Sequence, residues 1–397
     1  MAKERVLIVG AGFGGIKAAL ALKDSEQHEV TVLSERLDFR YYPTLYRVAL
    51  GTSKENASIS LSKLFADTAV NVKQGVAVSV DRKAKTVKTQ DGQAISYDVL
   101  ILGLGVVTNY FGIPGLPEFS YSIKSMADVE RFKHHLHQQL IDTQQPDLNY
   151  VIVGAGPTGI ELAGSLPEYL RQIMHNHGIK HRAIHIDLVE AAPRLLPRMP
   201  RDTSRMVKRR LKRLGITVLT SAAVQGETAD ELIINGKPVR SHTVVWTAGV
   251  TNHPFFAENK FALTNRGKVS VDAYLQAEDN VYVIGDNANT PYSGMAQTAI
   301  HDAEFVAENI ILNKAGKERK SYVVKRPVTV IPVGDRWAAV LWGSVRMYGW
   351  LGWTLREMAD VAGFHDYQSW TDAGKQWLTE FTTEESCPVC VAATAGN

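Results

Sequence analysis

An α/β fold with two doubly wound parallel sheets and a separate carboxy-terminal segment is what this sequence predicts, on three observations. An apolar strand runs into a glycine turn and then a helix at residues 6–23, and the same device recurs at residues 150–172. Six of the seven tryptophans then fall between Trp337 and Trp377, which gives the end of the chain a character of its own. The strand, turn and helix repeats are Rossmann-like dinucleotide-binding units.

The bulk numbers fit such an assembly. At 397 residues the chain exceeds one ordinary core, so two or three packed units are expected. A hydrophobic share of 45% with 21% charged residues is that of a folded soluble protein. A formal net charge of +3 falls far short of a dedicated nucleic-acid binder. The opening MAKERVLIVGAGFGG reads as a strand entering a turn rather than a signal peptide. Only Cys387 and Cys390 occur, too close for a secreted-type disulfide framework, and a reducing, cytoplasmic setting is expected.

In the first unit, Val6 to Val9 read as a buried strand, followed by Gly10, Gly12 and Gly15 and the helical run Ile16 to Lys23. The first glycine permits the tight turn, the second lets backbone approach a pyrophosphate, and the third lets helix and strand pack closely. Free N–H groups at the helix start then bind the phosphates. Gly14 and Arg36 are counted with this site. About 20 residues past the third glycine the motif wants an acid for a ribose hydroxyl, and Glu35 closes the strand Val30 to Leu33.

The second unit repeats the pattern: strand Tyr150 to Val153, then Gly154, Gly156 and Gly159 with Pro157 and Thr158 in the turn, a helix from Ile160 to Gln172, and strand His185 to Val189 ending in Glu190. Two such units in one chain suit an enzyme passing electrons between two bound dinucleotides. An acid rather than an arginine at Glu190 favours NADH over NADPH.

The end of the chain reads differently. WAAVLWGSVRMYGWLGWTL opens as a strand and contains Arg346 and three glycines, so it is not a membrane-spanning helix. From Met347 to Val361 the large apolar residues cover one side of an expected helix, with Arg356, Glu357 and Asp360 on the other. Such a stripe lies in a membrane interface, or packs on the first unit or on a second copy of the chain in a homodimer. The basic stretch RMVKRRLKR at 205–213 is expected to be a solvated helix face. CPVC at 387–390 is a dithiol, half of a metal site or two unpaired thiols. With no second CxxC and no nearby histidine, no complete metal site is expected there.

Beyond the glycine turns, the segments YYPTLYRVALG (41–51), TNYFGIPG (108–115), TVVWTAGV (243–250) and VYVIGDNANT (281–290) carry a resemblance over nearly the whole chain. The chain resembles the two-dinucleotide-fold flavoproteins of glutathione-reductase-like fold, most closely their type II NADH dehydrogenase branch, which reduces quinones without pumping protons. The resemblance implies FAD on residues 1–115 and 256–322, NADH on 116–255, and a membrane-association or dimerisation segment at 323–397. It implies that Gly285 and Asp286 hold the ribityl and pyrophosphate part of FAD, that Gly103 and Gly105 cross close to it, and that Thr44 runs along the flavin with Tyr46 lining the site. Ala296 and Gln297 would lie near the isoalloxazine and the quinone, and Ala248 and Gly249 would hold NADH. Glu161 matches a glutamate beside the flavin and quinone channel, as a proton relay or as a partner of helix-start amides.

The sequence departs from that branch at His301 and Asp302, where two glutamines are usual, and at Gly103 to Gly105, where the pattern reads ATG. His301 is carried as a catalytic candidate with Glu161 and Gln297. No cysteine occurs at positions 1–386, so disulfide chemistry of the chain's own at the flavin is excluded. An NADH:quinone oxidoreductase on the cytoplasmic face of the cell membrane is the leading expectation. A soluble reductase of a small electron-carrier protein and a redox-sensing flavoprotein are the alternatives.

Overall fold

The structure is a computed structural model that describes residues 3–141, 149–179 and 182–382. Cys387 and Cys390 lie outside the described residues.

The larger sheet has six strands in the order Gln276–Glu278, Val281–Val283, Val99–Leu102, Glu4–Val9, His28–Ser34 and Asn71–Gln74. Every pairing is parallel except that of the Gln276–Glu278 edge. Val6 to Val9 are buried because this central strand is covered on both faces, which is why it reads as an unbroken apolar run. Late strand Val281–Val283 pairs in register with Val99–Leu102, so two distant stretches of sequence share one sheet.

The first glycine-turn helix is Phe13–Leu22, starting three residues before the expected Ile16. It packs against the long helix Ala296–Lys314. A methyl at Gly14 would sit 2.8 Å from Ile284 Cδ1 and 3.2 Å from the Ala299 carbonyl oxygen, so the two helices pack closely at this glycine.

The second sheet runs Thr217–Thr220, His185–Glu190, Asn149–Val153 and Thr243–Trp246, all parallel. Its glycine-turn helix spans Pro157–Asn176, longer at both ends than the expected stretch because Pro157 is well placed in the first turn. The two sheets are joined where Val106–Thr108 pairs antiparallel with Val250–Asn252. Each of these short strands follows the carboxyl end of a parallel strand, Val99–Leu102 in one sheet and Thr243–Trp246 in the other, so the two carboxyl ends are held together. Ligands of open α/β sheets bind at such ends.

Residues 329–349 form a three-stranded antiparallel sheet whose Ile331, Val333 and Ala339 join the core of the second unit. Helices Trp350–His365 and Trp370–Leu378 lie over the first unit, where Phe364, Tyr367 and Ala373 enter its core. The expected continuous helix from Met347 is corrected here. Met347 and Tyr348 belong to strand Val345–Gly349, and Gly349 at φ +83° breaks the chain before the helix begins.

Of the two sides of that helix, the charged one packs on the rest of the chain. Gly352, Arg356, Asp360 and Phe364, spaced by four, point inward. Trp350, Leu351 and Met358 are 65%, 53% and 68% exposed. The charged side is interior because its charges have partners there, as described below. Among the described residues no helix is long and apolar enough to cross a membrane.

Candidate functional site

The first cradle is built from main chain. Gly10 has φ +106°, and a methyl there would overlap the Gly103 carbonyl. Its N–H donates to Leu33 O at 2.8 Å, and the Gly103 N–H donates to Val9 O at 2.9 Å, which draws three strand ends together. A methyl on Gly15 would overlap the Gly10 carbonyl, so the helix can start only this close to the turn with glycine there. At Gly12, by contrast, a methyl would meet nothing within 4 Å. The helix start carries no side-chain cap. An open notch at uncapped N–H groups fits a pyrophosphate, so the residues present suit the dinucleotide the motif implies.

Glu35 stands exposed just past the strand end beside this notch, and Arg36 is half-buried with Nε 3.5 Å from Asp38. Thr44 does not reach the notch. It has no accessible surface, and its hydroxyl donates to the Asn56 and Tyr41 carbonyls at 2.7 and 3.1 Å. The flavin contact expected of Thr44 is therefore corrected: the side chain is consumed in holding the start of helix Tyr42–Ala49.

The GD turn is clamped from behind by Asp302, which the sequence marked only as a departure from the related branch, and by Asn287. Asp302, fully buried, accepts from the Gly285 N–H at 2.9 Å and from the Tyr322 hydroxyl at 2.6 Å. Burial raises its carboxyl, and the Tyr322 and Gly285 hydrogen bonds oppose that rise. Asn287, also fully buried, accepts from the Gly105 N–H at 2.8 Å and donates to the Gly105 carbonyl at 2.6 Å and to Asn252 at 2.6 Å. It thereby ties the close crossing to the strand that joins the two sheets. Lys268 donates to the Asp286 carbonyl and, at 2.8 Å, to Ser293.

Asp286 itself is half-buried, and its charge acts on the Lys124 ammonium, which burial pulls down. Gln297 is exposed at the start of helix Ala296–Lys314 and accepts from the Val328 N–H at 2.8 Å, next to half-buried Ala296. His301, one turn on, donates Nε2–H to the Val323 carbonyl at 2.8 Å.

The second cradle repeats the first. Gly154 has φ +106°, and a methyl there would sit 2.6 Å from Ala248 Cα. Gly159 packs on the Gly154 carbonyl, and Gly156 is again open, with no atom within 4 Å of its absent methyl. Pro157 and Thr158 are exposed at the uncapped helix start. Glu190 accepts from the Ala155 and Ala192 N–H groups at 2.9 and 2.8 Å, which fixes its carboxylate beside the turn with acceptor sites to spare. Gly249 meets the 108–115 segment: its carbonyl accepts from the Asn109 N–H at 3.1 Å, and a methyl on it would lie 2.5 Å from the Phe111 ring. The glycines of both turns, Ala248, Gly249, Gly103 and Gly105 are thus gathered near the joined strand ends.

Glu161 lies one turn into helix Pro157–Asn176, which packs on helix Tyr42–Ala49. Desolvation pushes its carboxyl up to about 8, with Arg47 pulling down and Asp360 pushing up. Arg47, buried, donates to Asp360 at 2.7 Å and to the Tyr46 hydroxyl at 3.3 Å, and pairs with Glu380 at 2.9 Å. Arg356 pairs with Asp360 at 3.1 Å, with Glu380 at 2.9 Å, and with Glu357. The three acids Glu357, Asp360 and Glu380 lie close enough to share an ion, and each of them already pairs with one or both of the two guanidinium groups. Tyr46 is buried lining, its hydroxyl held well above the ordinary tyrosine range by desolvation. Spacing carries no signal for this cluster, since Arg47 and Asp360 are 313 residues apart.

Tandem dinucleotide folds with facing, uncapped glycine cradles define the class of two-nucleotide α/β oxidoreductases. The sequence comparison is specific about the family. Residues 4–303 match the pyridine nucleotide-disulphide oxidoreductase family, and the chain belongs to it. Among curated proteins, the type II NADH:quinone oxidoreductase of Staphylococcus aureus is 27% identical over 347 residues, covering 81% of this chain and 86% of that protein. Among solved structures, NDH2 from Plasmodium falciparum in complex with NADH superposes with a TM-score of 0.85 at 18% identity, covering 97% of this chain and 99% of that one. The sulfide:quinone oxidoreductase of Aquifex aeolicus gives 0.76 at 19% identity, covering 90% and 89%. At those identities the structural matches speak for the fold.

Proposed function

We propose that this protein is an NADH:quinone oxidoreductase that holds FAD in the first cradle and NADH in the second, without pumping protons. The observation that carries the proposal is the pair of open glycine cradles whose strand ends are tied by the 106–108 and 250–252 pairing, in a chain without cysteine before position 387. The likeness to the staphylococcal quinone reductase over 81% of the chain supports the acceptor. Bound FAD supplies a two-electron carrier between nicotinamide and quinone.

The chain's own contribution is placement. Gly10, Gly12, Gly14, Gly15, Glu35, Arg36, Gly103, Gly105, Gly285 and Asp286 hold FAD, with Asp302 and Asn287 fixing the last turns from behind. Gly154, Gly156, Pro157, Thr158, Gly159, Glu190, Ala248 and Gly249 hold NADH. Orientation of the reacting atoms and exclusion of water are what hydride transfer requires of a protein. Glu161, protonated near neutrality, keeps a proton beside the quinone side of the site, and Gln297 and His301 border it from the Ala296–Lys314 helix. The units divide as 1–115 with 256–322 for FAD, 116–255 for NADH and 323–397 for docking. The exposed Trp350, Leu351 and Met358, with Trp370 and Phe381 on the neighbouring elements, suit a peripheral seat on the cytoplasmic face of the membrane.

The test is anaerobic: NADH is added to the FAD-loaded protein until the flavin bleaches, then a short-chain quinone is mixed in. Rapid return of flavin absorbance is expected. Bleached flavin that every quinone leaves unoxidised would overturn the assignment.

A further inference from the structure

Helix Arg201–Arg213 of the second unit turns Thr203, Ser204, Val207 and Leu211 inward. Its opposite side is basic. Arg205, Arg209, Lys212 and Arg213 are exposed and Lys208 is half-buried, and these five side chains alone line a shallow depression of about 460 Å³. Arg210, on the flank, is engaged within the molecule, where it donates to the Val333 and Asp335 carbonyls at 3.1 and 2.7 Å. The helix's own acid, Asp202, pairs with Arg346. Among the described residues none of the five depression-lining cations has a carboxylate partner. Like charges three and four residues apart on a helix repel one another, so the run weakens its own helix and no described acid offsets it.

We propose that this face takes the phosphate headgroups of anionic phospholipids, so that the protein docks on a negatively charged membrane through two adjoining surfaces, one basic and one apolar. The proposal deepens the peripheral seat proposed above and rests on that reading. What joins the surfaces is the hairpin that precedes helix Trp350–His365. Trp342 and Val345 face each other at its end and are 61% and 54% exposed. Beside them Arg346 holds Asp202, and the Tyr348 hydroxyl meets that of Thr203 at 2.9 Å, so the apolar end of the hairpin adjoins the first turn of the basic helix. Arg205 follows Asp202 by one turn on the solvent side, and Arg213 lies about 12 Å further along the axis at 1.5 Å per residue. From the same hairpin, Gly349 leads straight into exposed Trp350 and Leu351.

The two surfaces ask for the same partner. Guanidinium and ammonium groups donate charge-assisted hydrogen bonds to phosphate oxygens, while tryptophan, leucine and valine side chains sink into the acyl boundary beneath the headgroups. Shallow apolar insertion alone binds weakly and reversibly, and a polybasic patch is the second signal that strengthens it. A soluble acidic protein answers the cations alone, whereas an anionic lipid surface answers the cations and the adjoining aromatic side chains together.

The test is co-sedimentation of the FAD-loaded full chain at low ionic strength with vesicles of phosphatidylcholine and with vesicles of equal parts phosphatidylcholine and phosphatidylglycerol. The parent is expected to prefer the anionic vesicles and to lose that preference in 1 M salt, where charges are screened beyond about 3 Å. Each Lys or Arg near an anionic surface contributes about fivefold in affinity. The double change Arg205→Gln with Arg209→Gln should therefore weaken binding to the anionic vesicles by about 30-fold, leaving the phosphatidylcholine vesicles and the flavin content as they were. Arg205→Lys with Arg209→Lys is expected to stay near the parent. A parent that binds both vesicles equally, or a glutamine variant that keeps the anionic preference, would overturn the proposal, leave the apolar seat standing, and return the basic face to solvent or to an acidic protein. No sedimentation with either vesicle would instead remove the seat itself, and the proposal with it. The quinone reaction is read in solution without vesicles, so none of these outcomes bears on it.

Discussion

Asp302 stands where the related branch usually carries a glutamine, and its replacement separates two roles. If it bordered the quinone, Asp302→Ala would weaken quinone use and little else. The structure gives it two hydrogen bonds to a fully buried carboxyl, from the Gly285 N–H at 2.9 Å and the Tyr322 hydroxyl at 2.6 Å. Hydrogen bonds to a charged group contribute about 1.5–3 kcal/mol each, and alanine leaves the Gly285 N–H without its acceptor. Asp302→Ala should therefore lose about 3–5 kcal/mol of unfolding free energy in denaturant titration. Asp302→Asn keeps one acceptor oxygen and should lose about half of that. Because Gly285 fixes Asp286 at the FAD turn, Asp302→Ala should also shed flavin on gel filtration. A stable, fully flavinated Asp302→Ala protein with only its quinone reaction impaired would refute this reasoning.

Glu227 gives a prediction with a definite pH sign. It is 7% exposed, its Oε2 has no hydrogen-bond partner, and desolvation pushes it up to about 8. The folded pKa lies above the unfolded one, so between about pH 4.3 and 8 the native state binds more protons and stability falls as pH rises. Glu227→Gln should stabilise the protein at pH 8 by up to on the order of 4 kcal/mol and hardly at all at pH 4, as read by denaturant titration at the two pH values; equal effects at both would sink the account. On the terminal helix, the triple change of Trp350, Leu351 and Met358 to serine should abolish co-sedimentation with phospholipid vesicles while flavin content and NADH-driven bleaching persist, because those side chains face solvent. Undiminished sedimentation would remove the docking role from that face.

What the sequence determined by itself were the features fixed by chemistry within a few residues. Gly10 and Gly15, and again Gly154 and Gly159, announce their turns because only glycine accepts those backbone angles and close approaches, and Gly12 and Gly156 leave open the space before each helix. The buried strands announce themselves by unbroken apolar runs, and the absence of cysteine before position 387 leaves the two nucleotide units without a redox pair of their own. Element ends shifted by a few residues, since capping and the first helical turn depend on context.

The tertiary structure decided what depends on partners far along the chain. A helix wheel puts Arg356 and Asp360 opposite the apolar stripe without saying which side packs, and Arg47 and Glu380 make theirs the interior face and turn Trp350, Leu351 and Met358 outward. Asp302 read as a lost glutamine, and the fold made it the brace of the GD turn. Thr44 matched a motif, and its hydroxyl was claimed by the Asn56 carbonyl. A buried charge or hydroxyl goes to whatever partner the fold brings within hydrogen-bonding reach, and no local pattern encodes which one that is.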